Sequence, residues 1–276
     1  MSVTSQRLHA VRLIAGRELR STLMGIGIYI VMAVSFLLSS YFINGYLYTI
    51  VHNGALAMPS PLMVPLFVAV FVGALYLGLL SSLAISRERD QGTLEVLFYG
   101  PVDSFSYVVG KFVEQMAVFG VFLLFDLVFF AIMALITNFG FNWQLIALLL
   151  ISFFVAASVV AFGIFLSSLT RSSRASVILF VAIQVSFIAF FYLYQSLMKI
   201  PDKELSTTMI YVRQALDYMR RGIEWISPLD YLNRGAAAVA SGGFTGFLIA
   251  LIEAVIYGII LLAAAIFFFN RRGVRK

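Results

Sequence analysis

Long apolar runs alternate with short polar breaks along this chain, and the runs set its architecture. Predominantly apolar stretches cover approximately 24–43, 62–85, 112–136, 144–169, 175–198 and 245–269. Each reaches the ~20 residues an α-helix needs to cross a ~30 Å hydrocarbon core. They predict six transmembrane helices in an all-α polytopic membrane protein. Ahead of them, residues 5–20 have helical period. Leu8, Val11, Ile14, Ala15 and Leu19 share one face, while His9, Arg12, Arg17 and Arg20 lie mostly on the other. That is the pattern of a basic helix lying in the membrane surface, here over residues 1–22. The apolar run that follows is longer than the core of a signal peptide and shows no small-x-small cleavage site.

The segment 199–244, between the fifth and sixth runs, has its own order. Met209, Val212, Leu216, Met219, Ile223 and Ile226 repeat every three or four residues as one apolar stripe. Arg213–Asp217, Asp217–Arg221 and Arg220–Glu224 are opposite charges four apart, each pair worth about 0.2–0.5 kcal/mol. This predicts an amphipathic helix on the outer membrane face, stopped by Ser227-Pro228. Leu229 to Gly243 follows, with the small-residue run Gly235-Ala236-Ala237-Ala238. Small residues let helices pack closely in a membrane, so this piece either dips in and returns or lies flat as a surface helix. No internal repeat shows, and residues 1–276 are expected to form one transmembrane domain.

Composition narrows the class. The chain is 62% hydrophobic and 12% charged, with a mean hydropathy of +0.99. Soluble domains are about 45–50% apolar and about 25% charged, so these charges cannot cover a water-facing surface. Soluble enzymes and nucleic-acid-binding modules are set aside. The net charge of +6 serves orientation instead, and nucleic acid is not an expected partner. Thirteen of the 19 Lys and Arg residues fall at the two ends and in the loops at 86–111 and 170–174. The short loops at 44–61 and 137–143 hold none, and the other six, in 199–244, are nearly balanced by acids. By the positive-inside rule both termini are cytoplasmic in a multi-pass cell-membrane protein. Without cysteine and with only His9 and His52, thiol chemistry and a histidine-rich metal site are excluded.

The stretch from Arg87 to Val102 carries the most information. Gly92 breaks the preceding helix, and Thr93 is suited to cap a new one. Glu95 in its first turn suits the positive dipole end. Leu94, Leu97 and Phe98 then form an apolar face, and Gly100-Pro101 ends the helix. A short cytoplasmic helix with such a face needs either the membrane surface or a partner protein.

Here the chain resembles the permease subunits of ABC-2 type transporters, with the type V exporter architecture. The shared signature, E-R-x-x-G-T-L-E-x-L-x-x-x-P-V followed by G-K, is matched by Glu88, Arg89, Gly92, Thr93, Leu94, Glu95, Leu97, Pro101, Val102, Gly110 and Lys111. Ser227-Pro228 and Arg234-Gly235 resemble the S-P…R-G pattern of the gliding-motility and copper-maturation permeases. The resemblance implies that the loop helix, with Phe98 on its face, docks on a separate ABC ATPase present in two copies. It also implies a second permease, identical or a paralogue. This chain has no G-x-x-x-x-G-K-[ST] loop, so no catalytic residue is expected in it and ATP and magnesium would reside in the ATPase. Two other readings are a membrane-embedded enzyme, and an ion channel or secondary transporter. The first lacks any H-E-x-x-H, G-x-S-x-G or clustered Asp motif, and the second lacks inverted repeats and broken helices.

Two acids fall inside predicted spans. At ~1.5 Å per residue, Asp126 lies roughly 18 Å below Asn138 and Glu253 roughly 14 Å below Phe244. Intramembrane acids commonly mark pathways. The alternative is structural, with both acids neutral or Glu253 paired with Arg234. Ala74, Gly78 and Ser82, and Ala157 and Ala161, recur four apart and predict close helix contacts.

The charge asymmetry makes a direct prediction. In this cysteine-free chain, Ser206→Cys should react with an impermeant maleimide from outside the cell. Labelling from the cytoplasmic side alone would invert the topology.

Overall fold

The computed structural model describes residues 3–54, 60–94, 103–201 and 206–273. Among them the helices are α1 (Val3–Met24), α2 (Ile26–Asn53), α3 (Met63–Leu83), α4 (Ser86–Asp90), α5 (Ser104–Thr137), α6 (Trp143–Leu169), α7 (Ser173–Met198), α8 (Thr207–Ile226), α9 (Pro228–Ser241) and α10 (Phe244–Gly273). No strand occurs among the described residues. A helix satisfies its backbone N–H and C=O groups within one segment and without water, which is what a bilayer-spanning segment requires. Six helices, α2, α3, α5, α6, α7 and α10, are long and apolar enough to cross a membrane.

The helix ends refine the hydropathy reading. α2 does not stop near Ile43 but continues through Gly45 to Asn53 and ends where Gly54 takes φ +71°. A lone glycine weakens a helix by only about 1 kcal/mol, so Gly45 does not break it. α5 begins at Ser104, well before its apolar run, because the Asp103 side chain caps the Ser106 N–H at 3.1 Å. α1 uses its apolar face differently from the expectation. Ile14 and Ala15 pack inward, with Ile14 Cγ2 3.0 Å from where a Cβ on Gly110 of α5 would stand. Leu8 and Leu13 remain exposed beside the basic residues.

α6 is the hub, packed by α3, α5, α9 and α10. Its contact with α3 is made by glycine. A Cβ on Gly163 would collide with Ser81 Oγ and stand 2.6 Å from the Gly78 carbonyl oxygen. A Cβ on Gly78 would stand 2.7 Å from Val159 Cγ1 and collide with Phe180. The stripe Ala74, Gly78 and Ser82 thus lies on a real seam, where all three are buried. On α6, Ala157 turns toward α10 instead, its carbonyl 3.9 Å from the Cβ position of Gly258.

α8 does not lie flat across the end of the bundle. Arg213 donates to the Met198 carbonyl at 3.0 Å, Tyr194 donates to Asp217 at 3.0 Å, and Arg220 sits 4.4 Å from the Tyr194 ring centre. As α8 advances, its partners step back along α7, so the two helices run antiparallel. Tyr257 then donates to the Ile226 carbonyl at 2.6 Å, 13 residues into α10. The α8–α9 turn at Ser227-Pro228 therefore lies about 20 Å below the start of α10. α9 climbs back out: Tyr231 packs on Tyr257, Gly235 on Ile151, and the Val239 carbonyl accepts from Gln144 at 3.4 Å. The pair is re-entrant because Gly235 lets α9 approach α6 closely.

The glycine seam gives a stability prediction. Gly163→Ala should lower the detergent melting temperature, with an overpacking cost of about 1–3 kcal/mol. Gly120→Ala, where nothing lies within 4 Å, should melt like the parent. Equal melting of both variants would contradict so close a crossing.

Candidate functional site

At the α1 end of the bundle, three helices, α1, α4 and α5, meet in one polar network. Lys111 of α5 is 5% exposed and lies 2.6 Å from Glu88 of α4 and 3.2 Å from Glu18 of α1. Tyr107 donates to the other Glu88 oxygen at 2.8 Å. One turn further along α5, Glu114 is 2% exposed and accepts from Thr22 and from Gln115, each at 2.8 Å. These groups border a cavity of about 290 Å³. A lone buried ammonium would be expensive, and two carboxylates at this range offset that desolvation. Burial raises the Glu18 carboxyl, yet Lys111 and then Arg17 outweigh it and hold Glu18 below the usual glutamate value of 4.5.

α4 is also clamped to the turn between α6 and α7. Ser167 Oγ accepts from the Ile85 and Ser86 N–H groups at 3.0 and 2.9 Å. Arg89 donates to the Thr170 carbonyl at 2.6 Å, and Asp90 accepts from the Ser173 hydroxyl at 3.0 Å. Gly92 takes φ +70° and turns the chain, and helix resumes at Thr93. Thr93 therefore is not the N-cap that the sequence suggested. Its hydroxyl turns back and donates to the Glu88 carbonyl at 3.2 Å, closing the end of α4.

Of the described loop-signature residues, Glu88, Arg89 and Leu94 face inward, whereas Gly92 and Thr93 are exposed. Glu88 and Arg89 brace α4 against α1, α5 and the α6–α7 turn. Leu94 is 5% exposed and belongs to the core, so it offers no open docking face. Glu95, Leu97, Phe98 and Pro101 lie outside the described residues. Sequence reasoning passed over Glu18, Tyr107 and Glu114 entirely. The available signal was the pair Lys111 and Glu114, three apart at the polar start of an apolar run.

The two intramembrane acids differ in kind. Arg234 Nη1 lies 2.9 Å from Glu253 Oε2, a charge pair whose angle is too oblique for a hydrogen bond. Arg234 also donates to the Glu224 carbonyl at 3.3 Å and stacks on Tyr231. Asp126 is fully buried and faces Ser35 of α2, but neither carboxylate oxygen has hydrogen-bond geometry. No Lys or Arg nitrogen lies within 4 Å of it among the described residues.

Six helices long and apolar enough to cross a bilayer, with a helix pair folded back against them and a braced loop at one end, make this a multi-pass membrane protein. The sequence pattern of the ABC-2 family transporter proteins matches residues 14–274, and the chain belongs to that family. No curated protein matches it.

Two consequences are measurable. Lys111→Met leaves two half-buried acids, Glu18 and Glu88, without their shared cation and should destabilise the folded chain by about 3 kcal/mol or less, read by detergent melting. Because the Glu18 carboxyl is depressed on folding, its stabilisation is complete above pH 4.5 and is lost as pH falls through the lower folded value. Glu18→Gln should therefore flatten the drop in melting temperature below about pH 4.5. An unchanged acid limb would remove Glu18 from the network.

Proposed function

We propose that this chain is the permease subunit of an ATP-driven exporter, energised by two copies of a separate ABC ATPase. It works with a second permease, identical or a paralogue. Both termini and α4 face the cytoplasm, and cargo moves along the interface between the two permeases as ATP binding rocks them. The single observation that carries this reading is the bracing of α4. A partner that pushes the loop pushes α1, α5 and the α6–α7 turn together, through Lys111, Arg89 and Asp90. A loop with no mechanical task has no need of a half-buried ion pair and two further charge-assisted hydrogen bonds. The inward-facing Glu88 and Arg89 then act as positioning residues. Partner contact falls to the segment after Leu94, where Leu97 and Phe98 supply apolar side chains. A helix that short is not stable in water by itself and depends on what it docks against.

The test is co-expression with the P-loop ATPase encoded nearest to this chain, followed by affinity purification. The parent chain should retain the ATPase, and Leu97→Asp should lose it. Glu88→Gln should retain the ATPase while losing at least about tenfold of cargo-dependent ATP hydrolysis, a shift of about 1.4 kcal/mol in coupling. Failure of the parent to retain any ATPase, or full retention by Leu97→Asp, would overturn the docking assignment.

A further inference from the structure

A second cavity lies far from α4, where the α8–α9 turn meets α2, α3 and α7. Its volume is about 430 Å³, within the range of small-molecule sites. Phe42, Phe67, Phe71, Phe187 and Phe191 form its walls, contributed by α2, α3 and α7. Its floor is polar: Ser227, Asp230 and Asn233, all from the re-entrant turn.

The charges around that floor do not balance. Arg220 is held by Glu224 at 2.6 Å, and Arg234 by Glu253 at 2.9 Å. Both local cations are thus matched by an acid. Asp230 is left over: its side chain meets Asn233, it feels Arg220 and Arg234 only from beyond ion-pair range, and no Lys or Arg nitrogen lies within 4 Å of it among the described residues. The N-terminus of α9 supplies about half a positive charge, so a net negative field remains at the floor. An ordinary acyl chain would fill the aromatic walls but leave that carboxylate without a counter-ion, at a desolvation cost. A positive charge on an apolar body satisfies both, and aromatic ring faces attract cations in their own right.

We propose that this groove binds a lipophilic monocation, an apolar body carrying one positive group, with Asp230 as its counter-ion and the phenylalanines as its walls. That this ligand is transported cargo rests on the permease function proposed above; the binding site does not. The site lies within one chain, so a single permease holds the ligand. An anion of the same shape is rejected by the same carboxylate, which makes charge the selective feature.

The probe pair is radiolabelled tetraphenylphosphonium and tetraphenylborate, alike in shape and opposite in charge. Binding is measured on the full chain in phosphatidylcholine nanodiscs, with empty nanodiscs subtracted and no ATPase present. The parent should bind the cation saturably and show no saturable binding of the anion. Asp230→Asn should weaken the cation by roughly tenfold or more, and Asp230→Glu should keep most of the affinity. Phe71→Ala should weaken it as well. Melting curves accompany each variant. If Asp230→Asn does not fold, retained binding in Asp230→Glu with loss in Phe71→Ala still supports the site. Equal binding of both ions, or cation binding indifferent to Asp230→Asn, would overturn it. An absence of saturable cation binding would mean that an acyl chain is the occupant and would also overturn it. Because no ATPase is present, failure here leaves the ATPase-retention result standing, and the reverse holds too.

Discussion

In a hydrocarbon solvent, apolar helices gain little by hiding apolar surface from one another. They hold together where backbones come close enough for dense van der Waals contact. The crossing of α3 and α6 at Gly78 and Gly163 is that contact here, and much of the molecule is placed by it. α4 starts two residues after α3 ends, so wherever α3 is fixed against α6, α4 is fixed too. Ser167, one turn beyond Gly163 on α6, accepts the two N–H groups that begin α4. The Ser176 hydroxyl of α7 reaches the Ser82 carbonyl at 2.5 Å, on the same seam. The packing core and the α4 loop are thus one construction.

Polar side chains are sorted around this dry centre. At the α1 end they form a network whose members answer each other: Lys111 with Glu18 and Glu88, Glu114 with Thr22 and Gln115. At the far end, the re-entrant turn brings in two ion pairs, Arg220 with Glu224 and Arg234 with Glu253, and leaves Asp230 unmatched. Asp126 stands outside both groups. It is fully buried beside Ser35 of α2, and neither of its carboxylate oxygens has a hydrogen-bond partner among the described residues. Three polar sites with three different solutions divide the molecule into a braced end, a sealed middle and a re-entrant end.

The spans were legible because a bilayer imposes a length, and six apolar runs of that length can be counted. Where each helix stops was less legible. Gly45 reads as an end and is not one, whereas Gly54, which takes a left-handed φ, is. The stripe at Ala74, Gly78 and Ser82 announced a close contact but not its partner, since Gly163 shows no spacing of its own with Ala157 and Ala161. The loop signature named Glu88 and Arg89 without showing which way they point. Direction depends on Lys111 and Thr170, 23 and 81 residues away, and no local pattern encodes it. Glu18 was hidden by its neighbours, because one acid in a basic helix reads as surface. The pair Arg234 and Glu253 followed from depth along two helices, once α9 was allowed to dip.

The same helix that carries the loop also carries the re-entrant turn. α6 meets α4 at Ser167, α3 at Gly163, and α9 at Ile151 and Gln144. These contacts lie along one unbroken helix of 27 residues, about 40 Å from end to end. At Gly163 the α3 backbone itself is within reach, at Gly235 the Ile151 side chain fills the gap, and close-packed interiors compress little. A displacement of α4 that moves α6 must therefore move α9, or open a gap at Gly235 that costs its contacts. Asp230 sits at the lower end of α9 and Arg234 one turn above it, so the charge at the groove floor shifts with the same element. A braced loop at one end and an acidic, ring-lined groove at the other thus become two ends of one rigid connection.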